Sequence, residues 1–283
     1  MLEQRDLKEM VTDFLKENGA DLVGFAPVSR WDEWDEVHPD FRPGRLFPKA
    51  KTVIVFGMGM PLPVVETTPS AIHMELYNTV NRELDGLAYH LSRFLNRKGI
   101  AAYFFPRDGY GNIRIIKEKP RAAFSHVYAA KYAGLGSIGI NNVLLTTAFG
   151  PRVRWVSVFA DAVIAGEDVI KDELCIRCQA CVRCCPVDAI VPRQDRYKPD
   201  FNSLACAQRA EDLTRRRCYP CGICIKVCPV GEDRKLFDAE KKTGLYLEER
   251  KGTDAFAQSA ENHIWKHYRQ WGSWTEEEIK KHE

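Results

Sequence analysis

The sequence predicts an α+β protein in two unequal parts: a mixed strand-and-helix layer domain over residues 1–168, then a small cysteine-built module over 169–237 that leads into a helical tail over 238–283. Three observations predict it. Apolar runs of strand length alternate with helical patterns through the front of the chain. All ten cysteines fall between Cys175 and Cys228. After residue 237 the sequence turns polar, with Trp265, Trp271 and Trp274 standing among charges.

Taken in order, Leu7, Met10, Val11, Phe14 and Leu15 repeat at helical spacing over residues 6–18, and Gly19 stands where a helix-ending glycine belongs. Residues 21–26 read as a strand. Pro39, Pro43 and Pro48 lead to Thr52-Val-Ile-Val-Phe56, a continuous apolar run that suits a buried strand. Residues 57–69, rich in Gly and Pro, predict a loop. The longest helical pattern covers 71–98, with Leu76, Val80, Leu84, Leu87, Leu91, Phe94 and Leu95 on one side and Gly99 as its stop. Residues 100–105 read as a strand, and 106–111 as a turn-rich loop carrying Tyr110, a candidate pocket cover. A helix is predicted over 125–132, a glycine loop over 134–139, and strands over 143–146 and 153–159.

The chain has 283 residues, 45% of them hydrophobic and 28% charged, a balance that lets two domains bury cores. A net charge of +2 gives no electrostatic reason for nucleic acid or an anionic membrane as a partner. No apolar run approaches the roughly 18 residues of a membrane-spanning helix. The charged start Met1-Leu-Glu-Gln-Arg5 lacks the apolar core of an export signal, so a cytoplasmic protein is expected.

Cysteines crowded into one stretch of such a chain point to metal rather than disulfides. Cys175-x2-Cys178-x2-Cys181-x3-Cys185-Pro186 is the bacterial ferredoxin spacing, and Cys218-x2-Cys221-x2-Cys224-x3-Cys228-Pro229 repeats it. In that spacing three neighbouring thiolates hold one [4Fe–4S] cubane while the fourth crosses to the other. Zinc asks instead for paired ligands around one tetrahedral ion. The crossed reading gives cluster one Cys175, Cys178, Cys181 and Cys228, and cluster two Cys185, Cys221, Cys224 and one more. Spacing alone makes that last ligand Cys218; Cys206, in Leu204-Ala-Cys206-Ala-Gln208, is the alternative. Cys184 reads as a small buried hydrophobe. Cubanes with crossed ligands lie close together and form a relay. A front domain this large is more than a free ferredoxin needs, so it is expected to hold an acceptor.

Gly134-Leu-Gly136-Ser-Ile-Gly139 matches the dinucleotide fingerprint G-x-G-x-x-G, and Asp161 follows at the distance of a ribose-binding acid. A dinucleotide site needs a strand before the loop and a helix after it; here the order is reversed. The glycines are read as a loop that lets backbone approach some other large planar cofactor, with a purely structural turn as the alternative.

Ala133-Gly-Leu-Gly-Ser-Ile-Gly139, then Phe149-Gly-Pro-Arg152, then the CxxCxxCxxxCP string form a combination that resembles the epoxyqueuosine reductase family, with reductive dehalogenases as more distant relatives. The likeness covers about residues 50 to 237. The resemblance implies a nitroreductase-like, cobalamin-binding domain of sheet and helices in front of a ferredoxin-like two-cluster module, whose clusters reduce a base-off corrinoid. The DxHxxG string of cobalamin proteins that supply a lower histidine ligand does not occur. The resemblance also implies that a helix cysteine ahead of the second CxxC helps hold cluster two. Cys206 matches it, and Cys218 stays the alternative. The family's proton-donating aspartate has no counterpart, because the matching segment reads Lys117-Glu-Lys-Pro-Arg121 and then Ser125-His126.

His126 opens the helix that feeds the glycine loop and is the candidate catalytic proton donor, since an imidazole titrates near neutral pH; a helix-start hydrogen bond is the plainer reading. Tyr77, Asn78 and Asn81 share a helix face and, with Gly134, Gly136 and Gly139, are candidates for contact with a corrinoid. Arg177, Arg183, Arg193, Arg196, Arg209 and Arg215 to Arg217 gather positive charge about the clusters. Such charge raises cluster potentials and attracts an acidic donor such as a ferredoxin or flavodoxin. The three tail tryptophans read as packing anchors. The expected function is that of an iron–sulfur oxidoreductase relaying single electrons through two [4Fe–4S] clusters to a cobalamin-type cofactor or a small-molecule substrate in the front domain. The alternatives are an electron-transfer or corrinoid-reactivating partner protein with no substrate of its own, and a docking iron–sulfur protein with no further cofactor.

Overall fold

The structure, a computed structural model, describes residues 4–107, 113–118, 122–193 and 199–282. Tyr110, Arg196 and the segment 119–121 lie outside the described residues.

Helix α1 (Gln4–Glu17) leads into strand β1 (Leu22–Pro27), which pairs antiparallel with β2 (Thr52–Gly59). Helix α2 (Ala71–Arg97) and strand β3 (Ala102–Phe105) follow. Helix α3 (His126–Tyr132), the short strands β4 (Ser137–Ile138) and β5 (Leu144–Leu145), and strand β6 (Val153–Ala160) complete the front part. The main sheet runs β1-β2-β6-β3 with every neighbouring pair antiparallel.

Side chains alternate across a strand, and both faces of β2 are covered. Ile54 and Phe56 join Val11 and Leu15 of α1 and Leu84 and Leu91 of α2 in one core. Val53 and Val55 join Trp31, Ala129 and Tyr132 on the other face. The run is therefore apolar without alternation, and each fully buried side chain of this kind contributes about 1.5–3 kcal/mol. Residues 57–69 differ from the predicted loop: β2 continues to Gly59, and a helical turn occupies Leu62–Val65. Gly57 serves close packing rather than turning, because a Cβ there would lie 2.6 Å from a Val153 methyl on the facing strand.

Beyond β6 the cysteine module carries the small ladder of β7 (Ile190–Val191) with β8 (Asp200–Phe201), then helix α4 (Ser203–Arg215). Helices α5 (Thr243–Lys251) and α6 (Ala260–Gln270) belong to the tail. Tail residues Tyr246, Phe256 and Trp265 share a core with Cys181, Cys184, Ile190 and Val227 of the module. Of the three tail tryptophans, only Trp265 anchors. It is buried against Tyr246, with the Lys226 ammonium 3.5 Å from its ring centre, whereas Trp271 and Trp274 are exposed.

Buried charges join the parts. Arg152, just ahead of β6, is wholly buried and grips Asp233 with two hydrogen bonds of 2.5 and 2.6 Å. It also donates to the carbonyls of Cys228 (3.1 Å) and Val230 (2.6 Å). Glu66, from the front part, accepts from the Tyr246 hydroxyl (2.5 Å) and the Lys242 ammonium (2.9 Å) of the tail. Removing one partner of a buried pair leaves the other charge uncompensated and costs about 3–5 kcal/mol. Asp233→Ala is expected to lose that much unfolding free energy in anaerobic urea melts; a loss below about 1 kcal/mol would show that the pair does not join the two parts.

Candidate iron–sulfur and acceptor site

Eight of the ten cysteines face two cavities. Cys175, Cys178 and Cys181 approach the first from the segment running into the helical turn Ala180–Arg183, and Cys228 reaches it from the second motif; Ile140, Leu145 and Val230 fill the wall. The second is lined by Cys185 of the first motif, Cys206 of α4, and Cys221 and Cys224, with Val187, Ile190 and Phe201. Each motif lends its last cysteine to the other's cavity.

The structure brings Cys206, not Cys218, to this second group. Cys206 lies in the first turn of α4. Cys218 lies past the end of that helix, buried, its N–H bonded to the Leu213 carbonyl at 3.0 Å, and outside the cavity wall. Cys184 sits in the core shared with the tail, its thiol directed to the Tyr246 carbonyl.

Burial, reinforced by neighbouring cysteines, pushes the Cys181 thiol up to about 12 and those of Cys206 and Cys228 up to about 11. Burial raises Cys224 as well, with Cys221, Cys206, Cys181 and Cys185 adding to it. Four such sulfurs facing an apolar cavity are poorly solvated and repel one another as thiolates, so they need a cationic group between them, and its binding releases their protons. Arg209 lines the second cavity and opposes the rise at Cys221; Arg152 does the same at Cys228. Four thiolates to each apolar cavity, in crossed spacing, fit a [4Fe–4S] cubane. Among the described residues no three His, Cys, Asp or Glu side chains gather as around a single ion.

A third cavity of about 310 Å³ lies alongside, lined by Met60, His73, Tyr77, Arg107 and Arg154, with Tyr219, Pro220, Gly222 and Cys224 in common with the second cysteine cavity. Arg154 of β6 donates to Asn81 Oδ1 (3.0 Å) and to the Tyr77 hydroxyl (3.1 Å), residues one turn apart on α2. Arg107 pairs with Asp85. The buried His73 ring meets Thr68 Oγ1 through Nδ1 at 3.0 Å, while the Thr68 hydroxyl donates to the Cys221 carbonyl at 2.7 Å. The threonine proton being so used, Nδ1 carries the imidazole proton and Nε2 is an acceptor with no partner among the described residues. Burial, aided by the charge of Arg154, pulls the His73 pKa down to about 4, so the ring is neutral at pH 7.

The other predicted residues lie as follows. Asn78 is half-buried on α2 but outside the wall of the Tyr77 cavity. His126 is buried away from all three cavities; its Nε2 donates to the Pro106 carbonyl and its Nδ1 meets Ser157 Oγ, both at 2.9 Å. The glycine loop follows α3 and enters β4, in the order the sequence predicts. Gly136 is pressed on protein rather than open to a ligand, because a Cβ there would lie 2.0 Å from the Leu145 carbonyl oxygen. Asp161 pairs with Lys51 at 2.9 Å. Of the predicted arginines, Arg177 lines the first cysteine cavity and Arg209 the second. Sequence reasoning missed His73, Arg107 and Arg154, which stand alone in the chain and converge only when β6 packs beside α2 and the second cysteine motif.

Comparison with known proteins agrees with this arrangement. Residues 174–232 match the 4Fe-4S dicluster domain. Tetrachloroethene reductive dehalogenases are similar in sequence: that of Desulfitobacterium hafniense is 28% identical over 238 residues, covering 79% of this chain and 38% of that protein. That of Dehalobacter restrictus (strain DSM 9455 / PER-K23) is 26% identical over 279 residues, covering 80% and 48%. In fold, a catabolic reductive dehalogenase in complex with 3-bromo-4-hydroxybenzoic acid superposes with a TM-score of 0.65 at 18% identity, over 96% of this chain and 39% of that one. A reductive dehalogenase structure described for B12-dependent dehalogenation gives 0.63 at 19% identity, over 96% and 39%. Epoxyqueuosine reductase from Bacillus subtilis gives 0.55 at 18% identity, over 81% and 66%. The chain thus spans less than half the length of the dehalogenases it matches. No helix among the described residues is long and apolar enough to cross a membrane. The resemblance drawn from the glycine loop and the cysteine strings is met in both groups of neighbours, the reductive dehalogenases and the epoxyqueuosine reductases.

The two candidate cysteines separate cleanly by iron content after anaerobic reconstitution. Cys206→Ser is expected to lose about half of the iron, one cubane of two, and Cys218→Ser to keep all of it. Equal iron in the two variants would contradict the geometry.

Proposed function

We propose that the chain is an iron–sulfur reductase that relays single electrons through two [4Fe–4S] clusters to an acceptor in the Tyr77–Arg154 cavity, either a cobalamin-type cofactor or a reducible small molecule. One observation carries this reading. Tyr219, Pro220, Gly222 and Cys224 line both that cavity and the second cysteine cavity, so a single layer of residues separates electron source from acceptor.

On this reading Cys175, Cys178, Cys181 and Cys228 hold cluster one, and Cys185, Cys206, Cys221 and Cys224 hold cluster two. Arg152 and Arg234 both donate to the Cys228 carbonyl, at 3.1 Å each, and bring positive charge to the cluster-one side. The clusters supply low-potential electrons, and a corrinoid, when bound, supplies the reducible metal centre that acts on substrate. Tyr77 and Arg154 line the receiving cavity, and Asn81 holds the guanidinium in place. Neutral His73 presents an acceptor nitrogen on another side. A volume of about 310 Å³ stands at the low end of the roughly 300–1,000 Å³ of small-molecule sites. It would take a small substrate whole, and a corrinoid, being larger, would be held there only in part, by Tyr77 and Arg154. The front sheet is, on this reading, of the nitroreductase-like, cobalamin-binding kind, which the fold shared with the B12-dependent dehalogenase supports. The external donor is a small acidic carrier such as a ferredoxin or flavodoxin, for which Arg177 and Arg183 stand exposed beside the first cavity.

The test is anaerobic reconstitution with iron and sulfide, then titration with hydroxocobalamin followed in the visible spectrum. Saturable binding with a base-off spectrum, and cobalt reduction driven by dithionite through the clusters, are expected. Arg154→Met should weaken binding about tenfold or more, the worth of roughly 1.5–3 kcal/mol for hydrogen bonds from a charged donor. A fully iron-loaded chain that binds no corrinoid and reduces neither organohalides nor epoxyqueuosine would overturn the reading and leave an electron-transfer partner in its place.

A further inference from the structure

Helix α4 turns one side to the second cysteine cavity, where Ser203, Cys206, Ala207, Arg209 and Ala210 line the wall. Four of these side chains are small. Arg209 is the exception, three residues after Cys206 and therefore its neighbour on the helix surface. Its Nε is buried and meets no oxygen or nitrogen acceptor among the described residues. The acids that follow it on α4 are engaged elsewhere: Glu211 with Lys117 (2.7 Å) and Arg114 (3.2 Å), and Asp212 with the Gln208 amide (3.2 Å). The group that Arg209 does meet is a sulfur. Burial pushes the Cys221 thiol up, and the Ile223 N–H, the charge of Arg209 and a hydrogen bond from the Arg209 side chain oppose that rise.

A guanidinium nitrogen taken out of water is costly unless an opposite charge faces it. Four thiolates around a cubane carry that charge, and it grows by one when the cluster accepts an electron. The arginine on the other side of the module is placed differently. Arg152 opposes the rise at Cys228 through its charge, while its donors are taken up by Asp233 and by the carbonyls of Ile225, Cys228 and Val230. Arg209 combines both effects, a full charge and a donor on a ligand sulfur.

We propose that Arg209 is the residue that sets the potential of cluster two, its guanidinium acting as a charged hydrogen-bond donor to the Cys221 sulfur. The inference rests on the two-cluster reading above. A cationic donor on a ligand thiolate favours the more negative, reduced cluster over the oxidised one, and so raises the potential. The low dielectric of an apolar cavity strengthens the effect. Cluster two is the one whose wall is shared with the Tyr77–Arg154 cavity, so Arg209 makes it easier for an electron to come to rest beside the acceptor. One helix thus supplies a ligand, Cys206, and one turn later the group that tunes the cluster it helps to hold.

The test is a redox titration followed by electron paramagnetic resonance on the reconstituted chain and on Arg209→Met, Arg209→Gln and Arg209→Lys. Cluster two is identified as the signal that Cys206→Ser lacks. All three Arg209 variants are expected to hold the full two-cluster iron. At the wild-type midpoint of cluster two, the reduced-to-oxidised ratio should fall about tenfold in the Met variant, equivalent to about 59 mV for a one-electron couple. It should fall less in the Lys variant, which keeps the charge without the planar fork, and in the Gln variant, which keeps N–H donors without the charge. Equal midpoints at full iron would overturn the proposal, as would a shift confined to the signal that Cys206→Ser retains. So would equal iron loss in all three variants, because Arg209 would then build the site rather than tune it. Wild-type chain that takes up iron for fewer than two clusters would instead remove the two-cluster reading itself, and this inference with it.

Discussion

A guanidinium held wholly inside the protein is tolerated only where every side of it meets an acceptor, and Arg152 meets Asp233, two carbonyls of the second cysteine motif and that of Val230 just beyond it. The cysteine module has little regular structure of its own, a two-residue ladder and short helices around one long one. Its second motif is therefore held in place from outside, by an arginine at the start of the central β6. The carbonyl of Cys228 is among the bound groups, so the same contact fixes the residue that crosses from one motif to the other's cavity. Tail residues close the opposite side through Glu66, Tyr246 and Lys242.

The same strand end lines the third cavity. Arg152 and Arg154 are two residues apart at the start of β6, and both reach away from the sheet to other elements. Arg152 grips the carbonyl of Cys228, which lines the first cysteine cavity, while Arg154 reaches Tyr77 and Asn81 at the third cavity, whose wall includes Cys224. The start of β6 thereby brings one positive group to the Cys228 carbonyl and another to the wall that Cys224 shares with the third cavity. Charge close to a cluster acts on its potential far more strongly in this low-dielectric setting than at the surface, where Arg193 is paired with Asp200.

Much of the fold was legible. The run 52–56 is a strand buried on both faces because its residues are apolar at every step, and residues 71–98 make the long helix because their apolar positions recur at helical spacing. The GxGxxG string was legible as something other than a dinucleotide site, since the helix before it and the strand after it reverse the required order. What its glycines are for was not legible. Gly136 allows the hairpin to close on Leu145, which is a contact between residues nine apart in sequence that no local pattern announces. His126 looked like a proton donor because it opens a helix beside the loop. In the fold it hydrogen-bonds Ser157 and Pro106, both supplied by neighbouring elements. Trp271 and Trp274 show the limit of composition in the same way: an aromatic among charges does not say which side of the tail faces the module.

By itself the sequence determined the chemistry of the metal module, because cubane ligation depends on residue type and on spacings of two and three residues, and those are written in the chain. It led equally to the expectation that the motifs exchange their last cysteines, as this spacing does in two-cluster ferredoxins, and the two cavities divide the cysteines in that way. Only the tertiary structure separates Cys206 from Cys218 by place. Cys218, three residues past the end of that helix, lies outside the cavity wall, while Cys206 in its first turn lines the cavity, and direction is a property of packing. Only the tertiary structure, too, assembled His73, Tyr77, Arg107 and Arg154 around one cavity beside Cys224, because residues this far apart in the chain meet through the sheet and a helix rather than through any motif.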